Sequence, residues 1–120
     1  MLLFRSPIPI LLLFLTAVRV SAGTRTDEPQ KILAQADRMA ILYNWPKAAP
    51  LYKQAGDDFM RGGDEKGQLS ARLGWVRSQV EGGVSPALTE ELEHALQSPV
   101  VHGDAQLMLR CLVARAALDQ

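Results

Sequence analysis

The chain lacks the residues from which several common kinds of site are built. Cys111 is its only cysteine, so the sequence provides neither an internal disulfide nor a multi-cysteine zinc or iron–sulfur site. Thirteen basic residues are balanced by thirteen acidic ones, which leaves no basic excess for binding nucleic-acid phosphates. Aromatic residues, at 6% of the chain, are too few for a platform on which nucleic-acid bases stack. We therefore expect no nucleic-acid partner.

Patterns typical of catalysis and of metal binding are also missing. The acidic pairs Asp57-Asp58 and Glu90-Glu91 are adjacent residues on predicted helices, so their side chains diverge and do not flank one substrate bond. Glu90 and Glu91 lie four and three residues before His94, a spacing at which they could bind a metal together with it. A metal site normally requires two or three convergent ligands, and the sequence offers no other ligand at such a spacing. Cys111 lies in an almost wholly apolar segment and is interpreted as a small buried hydrophobe. We predict no enzyme, no cofactor and no metal site.

The first 22 residues have the pattern of a secretory signal peptide. Arg5 places a positive charge near the start, the stretch from Ile8 to Val18 is mostly apolar, and Val20-Ser21-Ala22 resembles a small-residue cleavage site. The apolar stretch is shorter than the roughly 20 residues that a helix needs to cross a bilayer. We predict a cleaved leader over residues 1–22 and export to the periplasm or the exterior. An uncleaved membrane anchor and a buried core helix are the alternatives.

After the leader, apolar residues recur at three- and four-residue spacing, which predicts helices, and no window alternates as a strand would. The first helix is predicted to begin near Asp27 as its N-cap, with Pro29 in its first turn. Glycine, proline and serine separate four more helices, the last from Ala105 to about Leu118. Three of these begin at the predicted caps Asp64, Ser85 and Asp104. The apolar face of the first helix comprises Ile32, Leu33, Ala36, Met39, Ala40 and Tyr43.

The predicted helices repeat at a shift of 40 residues. Helix breakers coincide at this shift, namely Gly23, Gly63 and Gly103, and also Pro46 and Pro86. Pairs of a large and a small residue superimpose as well, namely Leu33-Ala34, Leu73-Gly74 and Val113-Ala114. Agreement at one period indicates a repeat unit of two helices.

Small residues indicate where the helices of a unit cross. Two helix axes approach to about 8–10 Å only where the side chains between them allow it. We predict crossing points at Ala34, Gly74 and Ala114, with counterparts at Ala48, Ala55 and Ala95 on the even-numbered helices. A glycine within a helix costs about 1 kcal/mol relative to alanine, which a packing role for Gly74 explains. The alternative is that Gly74 is simply tolerated.

These residues resemble the tetratricopeptide repeat family, in the long-period form common in bacterial proteins. The resemblance rests on Leu73-Gly74 in an odd-numbered helix and on Ala48, Tyr52 and Ala55, which match the family's small–aromatic–small signature. It covers nearly the whole chain after the leader. It implies an all-α fold over residues 23–120, in which helical hairpins form a short right-handed solenoid of about two and a half repeats.

In this family the odd-numbered helices line a concave groove that holds a partner peptide. By register from Ala34, Gly74 and Ala114, the groove positions are Lys31, Gln35, Arg38, Trp75, Gln79 and Arg115. The resemblance implies that the three basic residues bind carboxylates of an extended segment and that Trp75 packs against an apolar side chain or a backbone of that segment. The alternative is that the charges form a solvated helix face and that Trp75 belongs to the core.

The last predicted helix has polar residues only at Gln106, Arg110 and Arg115. A helix with one side in water shows a wider polar face. We therefore expect the exposed side of Leu107, Cys111, Leu118 and their neighbours to be covered, either by a helix that follows Gln120 or by another molecule, including a second copy of the chain.

The function predicted from these features is an exported helical-repeat scaffold that binds a protein or peptide. A second hypothesis is the extracytoplasmic sensory region of a membrane signalling protein, which requires a retained leader or a further membrane span. A small enzyme is the hypothesis that the sequence supports least.

Overall fold

A computed structural model of the chain describes residues 23–120, with side chains from residue 28 onward. The predicted leader, residues 1–22, lies outside the described residues. From residue 23 to 120 the chain is helical and contains no strand, which confirms the all-α prediction. No helix in that range combines the length and the apolarity needed to cross a lipid bilayer. The helices are α1 (Gly23–Ile41), α2 (Trp45–Arg61), α3 (Glu65–Val80), α4 (Pro86–Leu96), α5 (Pro99–His102) and α6 (Ala105–Leu118).

Polar caps begin α3, α4 and α6 at Asp64, Ser85 and Asp104, as the sequence predicted. The Asp64 carboxylate accepts a hydrogen bond from the Gly67 N–H at 2.9 Å, and the Asp104 carboxylate accepts one from the Leu107 N–H at 3.2 Å. These bonds satisfy amides of the first turn that have no partner within the helix. The bond from Leu107 is the main cause that lowers the pKa of Asp104 below its ordinary value.

Two predicted boundaries are wrong. Because α1 begins at Gly23, Asp27 is not its N-cap, and Pro29 lies inside the helix. The segment Pro99–His102, for which the sequence predicted no helix, forms α5. The Ser98 hydroxyl accepts a hydrogen bond from the amide two residues further on at 3.2 Å. The Ser-Pro pair that follows α4 therefore also starts a new helix.

The end of α1 also differs from the prediction, which placed Tyr43 on the apolar face of that helix. Tyr43 lies beyond the helix with a φ of +57°, and its side chain is 77% exposed. Its amide donates to the Ala40 carbonyl at 3.0 Å, and the next amide donates to the Met39 carbonyl at 2.8 Å. Gly63 has the same place after α2, with a φ of +75°. Since the left-handed conformation costs a residue with a Cβ about 1–2 kcal/mol, the turn at Tyr43 is strained.

Close packing of α2 against α3 depends on glycine. A Cβ on Gly74 would overlap the ring of Tyr52, and a Cβ on Gly67 would overlap the ring of Phe59. Each ring thus lies against bare backbone of α3, and the pairing of these residues shows that the two helices run antiparallel. Gly74 lies where the sequence placed a helix crossing, whereas the equivalent role of Gly67 was not foreseen.

Apolar side chains of the described residues pack into two clusters. Trp75 of α3 is partly buried and packs against both of them. The cluster between α1, α2 and α3 contains Ile32, Leu33, Ala36, Ala48, Tyr52, Ala55, Phe59 and Ala71. The cluster between α3, α4, α5 and α6 contains Leu73, Val76, Leu88, Leu92, Ala95, Val101, Leu107, Cys111 and Ala114.

Two expectations about buried positions are wrong. Ala34, a predicted crossing point, is exposed, whereas Ala36 is buried, because α1 turns a different face to α2. In α6, Leu107 and Cys111 were assigned to a side that a further helix or molecule covers, but both are buried in the second cluster, which confirms the interpretation of Cys111 as a buried hydrophobe. The large apolar residues that α6 exposes are Leu109, Leu112 and Val113.

The helices do not repeat regularly at 40 residues. α2 has 17 residues, whereas its expected equivalent α4 has 11 and is followed by the short α5. α1 packs along α2 more extensively than α3 packs along α4, and α3 packs more closely against α6 than against α1. The all-helical fold is shown, and a solenoid of equivalent hairpins stays a prediction.

Candidate functional site

A groove of about 600 Å³ lies between the end of α1, the middle of α3 and one side of α6. These are the helices that the sequence analysis predicted as the first, third and fifth. Its lining residues are Ala40, Ile41, Tyr43, Trp45, Tyr52, Leu73, Gly74, Arg77, Gln106, Leu109, Arg110 and Val113.

A polar network joins three helices at the floor of the groove. Asp37 of α1 accepts a hydrogen bond from the Tyr52 hydroxyl of α2 at 2.7 Å. Arg110 of α6 donates to both carboxylate oxygens of Asp37, at 2.7 and 3.1 Å. No buried side-chain nitrogen or oxygen of the described residues lacks a hydrogen-bond partner. The floor is therefore preformed, since its charges already satisfy each other.

Tyr52 and Arg110 both keep their protons near neutral pH. Burial raises the pKa of the Tyr52 hydroxyl well above its ordinary value, and the bond to Asp37 raises it further. Burial opposes the charge of Arg110, but the hydrogen bond and the charge of Asp37 outweigh it and raise the pKa of Arg110. Tyr52 thus stays a neutral donor and Arg110 a cation, so neither exchanges protons at neutral pH as a general acid or base does.

Two aromatic residues and an arginine form the end of the groove where α1 turns into α2. The rings of Tyr43 and Trp45 meet edge to face, with centroids 6.3 Å apart and planes at 86°. The Arg77 guanidinium lies 4.3 Å from the centroid of the Trp45 ring and donates to Glu81 at 2.9 Å. Trp45 is thus held on two sides, while the strained Tyr43 is presented to solvent at the groove.

Most of the large apolar residues that the described chain exposes lie around this groove. Of the eight such residues, four line the groove, namely Ile41, Tyr43, Leu109 and Val113. Leu42 follows Ile41 in the chain, and Leu112 lies one helical turn from Leu109. The other two, Met60 and Val84, do not line it. Such clustering of exposed apolar surface is typical of an interaction site. We call this set the apolar rim: Ile41, Leu42, Tyr43, Leu109, Leu112 and Val113.

The six groove residues predicted from the sequence do not line this groove. Lys31, Gln35 and Arg38 are exposed on α1, and the last two border a separate depression. Trp75 borders two depressions, one with α2 and one with α4. Arg115 forms an ion pair with Glu93 of α4 at 2.9 Å, and Gln79 is partly buried on α3. The structure does not bring the six to one surface, and their contact with a partner stays a prediction.

The discrepancy comes from the register assumed within each helix. The groove side of α3 carries Leu73, Gly74 and Arg77, whereas the predicted set used Trp75 and Gln79 from other sides. The sequence does carry signals for the lining of this groove. Leu73 and Val113 coincide at the 40-residue shift, and Gln106 and Arg110 are one helical turn apart in an otherwise apolar helix.

No three His, Cys, Asp or Glu side chains within the described part of the chain come together as a metal site requires. Cys111 carries a free, buried thiol whose pKa is raised by burial, which is typical of an unreactive cysteine.

Comparison of the chain with protein-family models, curated proteins and solved structures finds no match.

Proposed function

We propose that the chain is a scaffold of the tetratricopeptide-like kind, without catalytic activity, that binds a segment of another protein in the groove between α1, α3 and α6. The apolar rim carries this proposal. Six of the eight large apolar residues exposed in the described chain belong to the rim, and four of them line one concavity. Two observations support the tetratricopeptide-like assignment. α2 and α3 pair antiparallel over Gly74, and the groove lies between the helices that the sequence predicts as the first, third and fifth.

The groove suits a segment that carries apolar side chains. Ile41, Leu109 and Val113 offer apolar surface on facing helices, and burial of such surface is the main favourable term in association. The floor is satisfied internally by Asp37, Arg110 and Tyr52, so a ligand does not need to neutralise a charge there. Binding to a preformed groove loses less conformational entropy than binding to a surface that orders on contact.

We also propose that the scaffold is exported. Support comes from the leader pattern of residues 1–22, with its single early basic residue and its short apolar stretch. Amino-terminal sequencing of the chain recovered outside the cytoplasm of its native host tests this part. A new amino terminus at Gly23 is the expected result, whereas an intact Met1 on membrane-associated chain would favour the sensory hypothesis.

Selection from a random peptide library on the purified full chain tests the groove. We expect enriched peptides that carry apolar residues and that lose at least tenfold in affinity for the Val113→Glu variant. Met60→Glu is the matched control, because Met60 is an equally exposed apolar residue that does not line the groove. Absence of any enriched peptide, or equal loss with both variants, would contradict the proposal.

A further inference from the structure

The outward side of α6 carries a stripe of four exposed apolar residues. They are Ala105, Leu109, Leu112 and Ala116, and nothing in the described chain covers them. Their spacing of four, three and four residues is the spacing of a coiled-coil seam, which keeps one line of a helix against a partner helix. A seam of this kind fits another helix better than it fits an extended peptide.

The order of residues in the stripe is the same in both directions along the helix. Small residues stand at its ends and large residues stand in its middle, so reversal of the helix leaves the pattern unchanged. A two-fold interface requires such self-complementarity, because each residue of one copy then contacts its counterpart in the other. With two copies of α6 antiparallel, Leu109 meets Leu112 of the second copy and Ala105 meets Ala116.

The charges beside the stripe also favour the antiparallel arrangement. Asp119, at the carboxyl end of α6, then lies near the amino end of the other helix, where the helix dipole is positive and the cap Asp104 carries a negative charge paired with Lys66. Along the helix axis, Arg115 of one copy lies opposite the neutral Gln106 of the second copy. A parallel arrangement would instead bring Arg115 to the height of Arg115 and Asp119 to the height of Asp119, which is unfavourable.

We propose that a second copy of this chain covers α6, through an antiparallel seam made by Ala105, Leu109, Leu112 and Ala116 of each copy. The dimer and the peptide groove share Leu109, but the seam residues Ala105 and Ala116 belong neither to the groove lining nor to the apolar rim. Two short helices bury an area at the small end of specific interfaces, so we expect a dissociation constant on the order of 10 μM.

Light scattering on the purified full chain tests the dimer. We expect a mass-average close to twice the monomer mass at about 100 μM and close to the monomer mass at about 1 μM, as mass action requires. Leu112→Glu is expected to be monomeric at both concentrations. Met60→Glu, which replaces an equally exposed residue of α2, is expected to dimerise like the wild type. A wild-type monomer at about 100 μM, or a Leu112→Glu chain that still dimerises, would overturn the proposal.

Cysteine cross-linking tests the register. The Ala105→Cys and Ala116→Cys chains are oxidised separately and as a mixture, while the buried Cys111 stays out of reach. We expect a cross-linked dimer in the mixture and little in either variant alone. Cross-linking of each variant alone would show a parallel seam, and absence of cross-linking everywhere would show no seam, so both results would overturn the proposed arrangement. Ala116→Glu, at a seam residue outside both the groove lining and the apolar rim, is expected to be monomeric and to bind groove-selected peptides as the wild type does, which separates this proposal from the proposed function.

Discussion

Arg110 of α6 donates two hydrogen bonds to Asp37 of α1, although the two residues lie 73 positions apart in the chain. The pair joins the first and the last described helices across α3. The Arg110 side chain also reaches the backbone carbonyl of Ser70 at 3.5 Å. The relative position of the two groove walls therefore depends on this ion pair as well as on apolar packing.

A double-mutant cycle on Asp37→Ala and Arg110→Ala measures the strength of this connection. Both side chains are partly exposed, so we expect a coupling of about 1 kcal/mol in the free energy of unfolding, determined by urea denaturation. The Arg115–Glu93 pair is the control, because its side chains are nearly half exposed and its coupling is expected below about 0.5 kcal/mol. Equal couplings for the two pairs would show that the Arg110 pair has no special structural role.

Gly74 and Gly56 provide a matched test of the packing of α2 against α3. Gly74→Ala is expected to lower the free energy of unfolding by about 1–3 kcal/mol, because the new methyl group overlaps the buried Tyr52 ring. A Cβ on Gly56 meets its nearest neighbour, Ala71, at an ordinary 3.6 Å. Gly56→Ala is therefore expected to stabilise the chain by up to about 1 kcal/mol through helix propensity. Thermal melts of the two variants check both signs.

The sequence predicted the starts of α3, α4 and α6 because their signals are local. A capping side chain such as Asp64 or Asp104 bonds to amides two or three residues away, so its effect does not depend on the rest of the fold. The missed α5 is a limit of the same reasoning, since the serine and proline that separate predicted helices can also start one, as Ser98-Pro99 does. Serine followed by proline is equally a start signal.

The side of each helix that faces the groove could not be predicted in the same way. A repeat shift compares residues with one another but does not say which side of a helix faces its neighbours. Ala34 and Gly74 coincide at the shift, yet one is exposed and the other is buried. α3 is packed by helices on several sides, whereas α1 packs mainly on α2, so equivalent positions have different surroundings. The Asp37–Arg110 pair has no local signal at all.

Alkaline pH is expected to destabilise the chain through Tyr52. Its pKa is raised in the folded state, mainly by burial, relative to about 10 in an unfolded chain. Above pH 10 the unfolded chain therefore releases this proton while the folded chain retains it, and stability falls as the pH rises further. The Tyr52→Phe variant lacks this proton and is expected to show a flatter decline between pH 9 and pH 11 in urea titrations. Identical slopes would contradict the assignment.

Cys111 reports on the packing of α6 because it is a free and buried thiol. Burial raises its pKa, which further lowers the fraction of reactive thiolate. We expect a thiol reagent at pH 8 to react at least 100-fold more slowly with the folded chain than with the urea-unfolded chain. Fast reaction of the folded chain would show that α6 separates readily from the second cluster.

Tyr43 provides a test in which stability and binding are expected to change in opposite directions. Its φ of +57° is one that glycine adopts freely, so Tyr43→Gly is expected to raise the free energy of unfolding by about 1 kcal/mol. Gly63→Ala, at the equivalent turn after α2, is expected to lower it by a similar amount, although a Cβ there meets no neighbour. Because Tyr43 lines the groove, the stabilised Tyr43→Gly chain is expected to bind groove-selected peptides at least fivefold more weakly than the wild type. Gly63→Ala is expected to leave that affinity unchanged. A Tyr43→Gly chain that gains stability and keeps full peptide affinity would show that the strained tyrosine does not contribute to the groove.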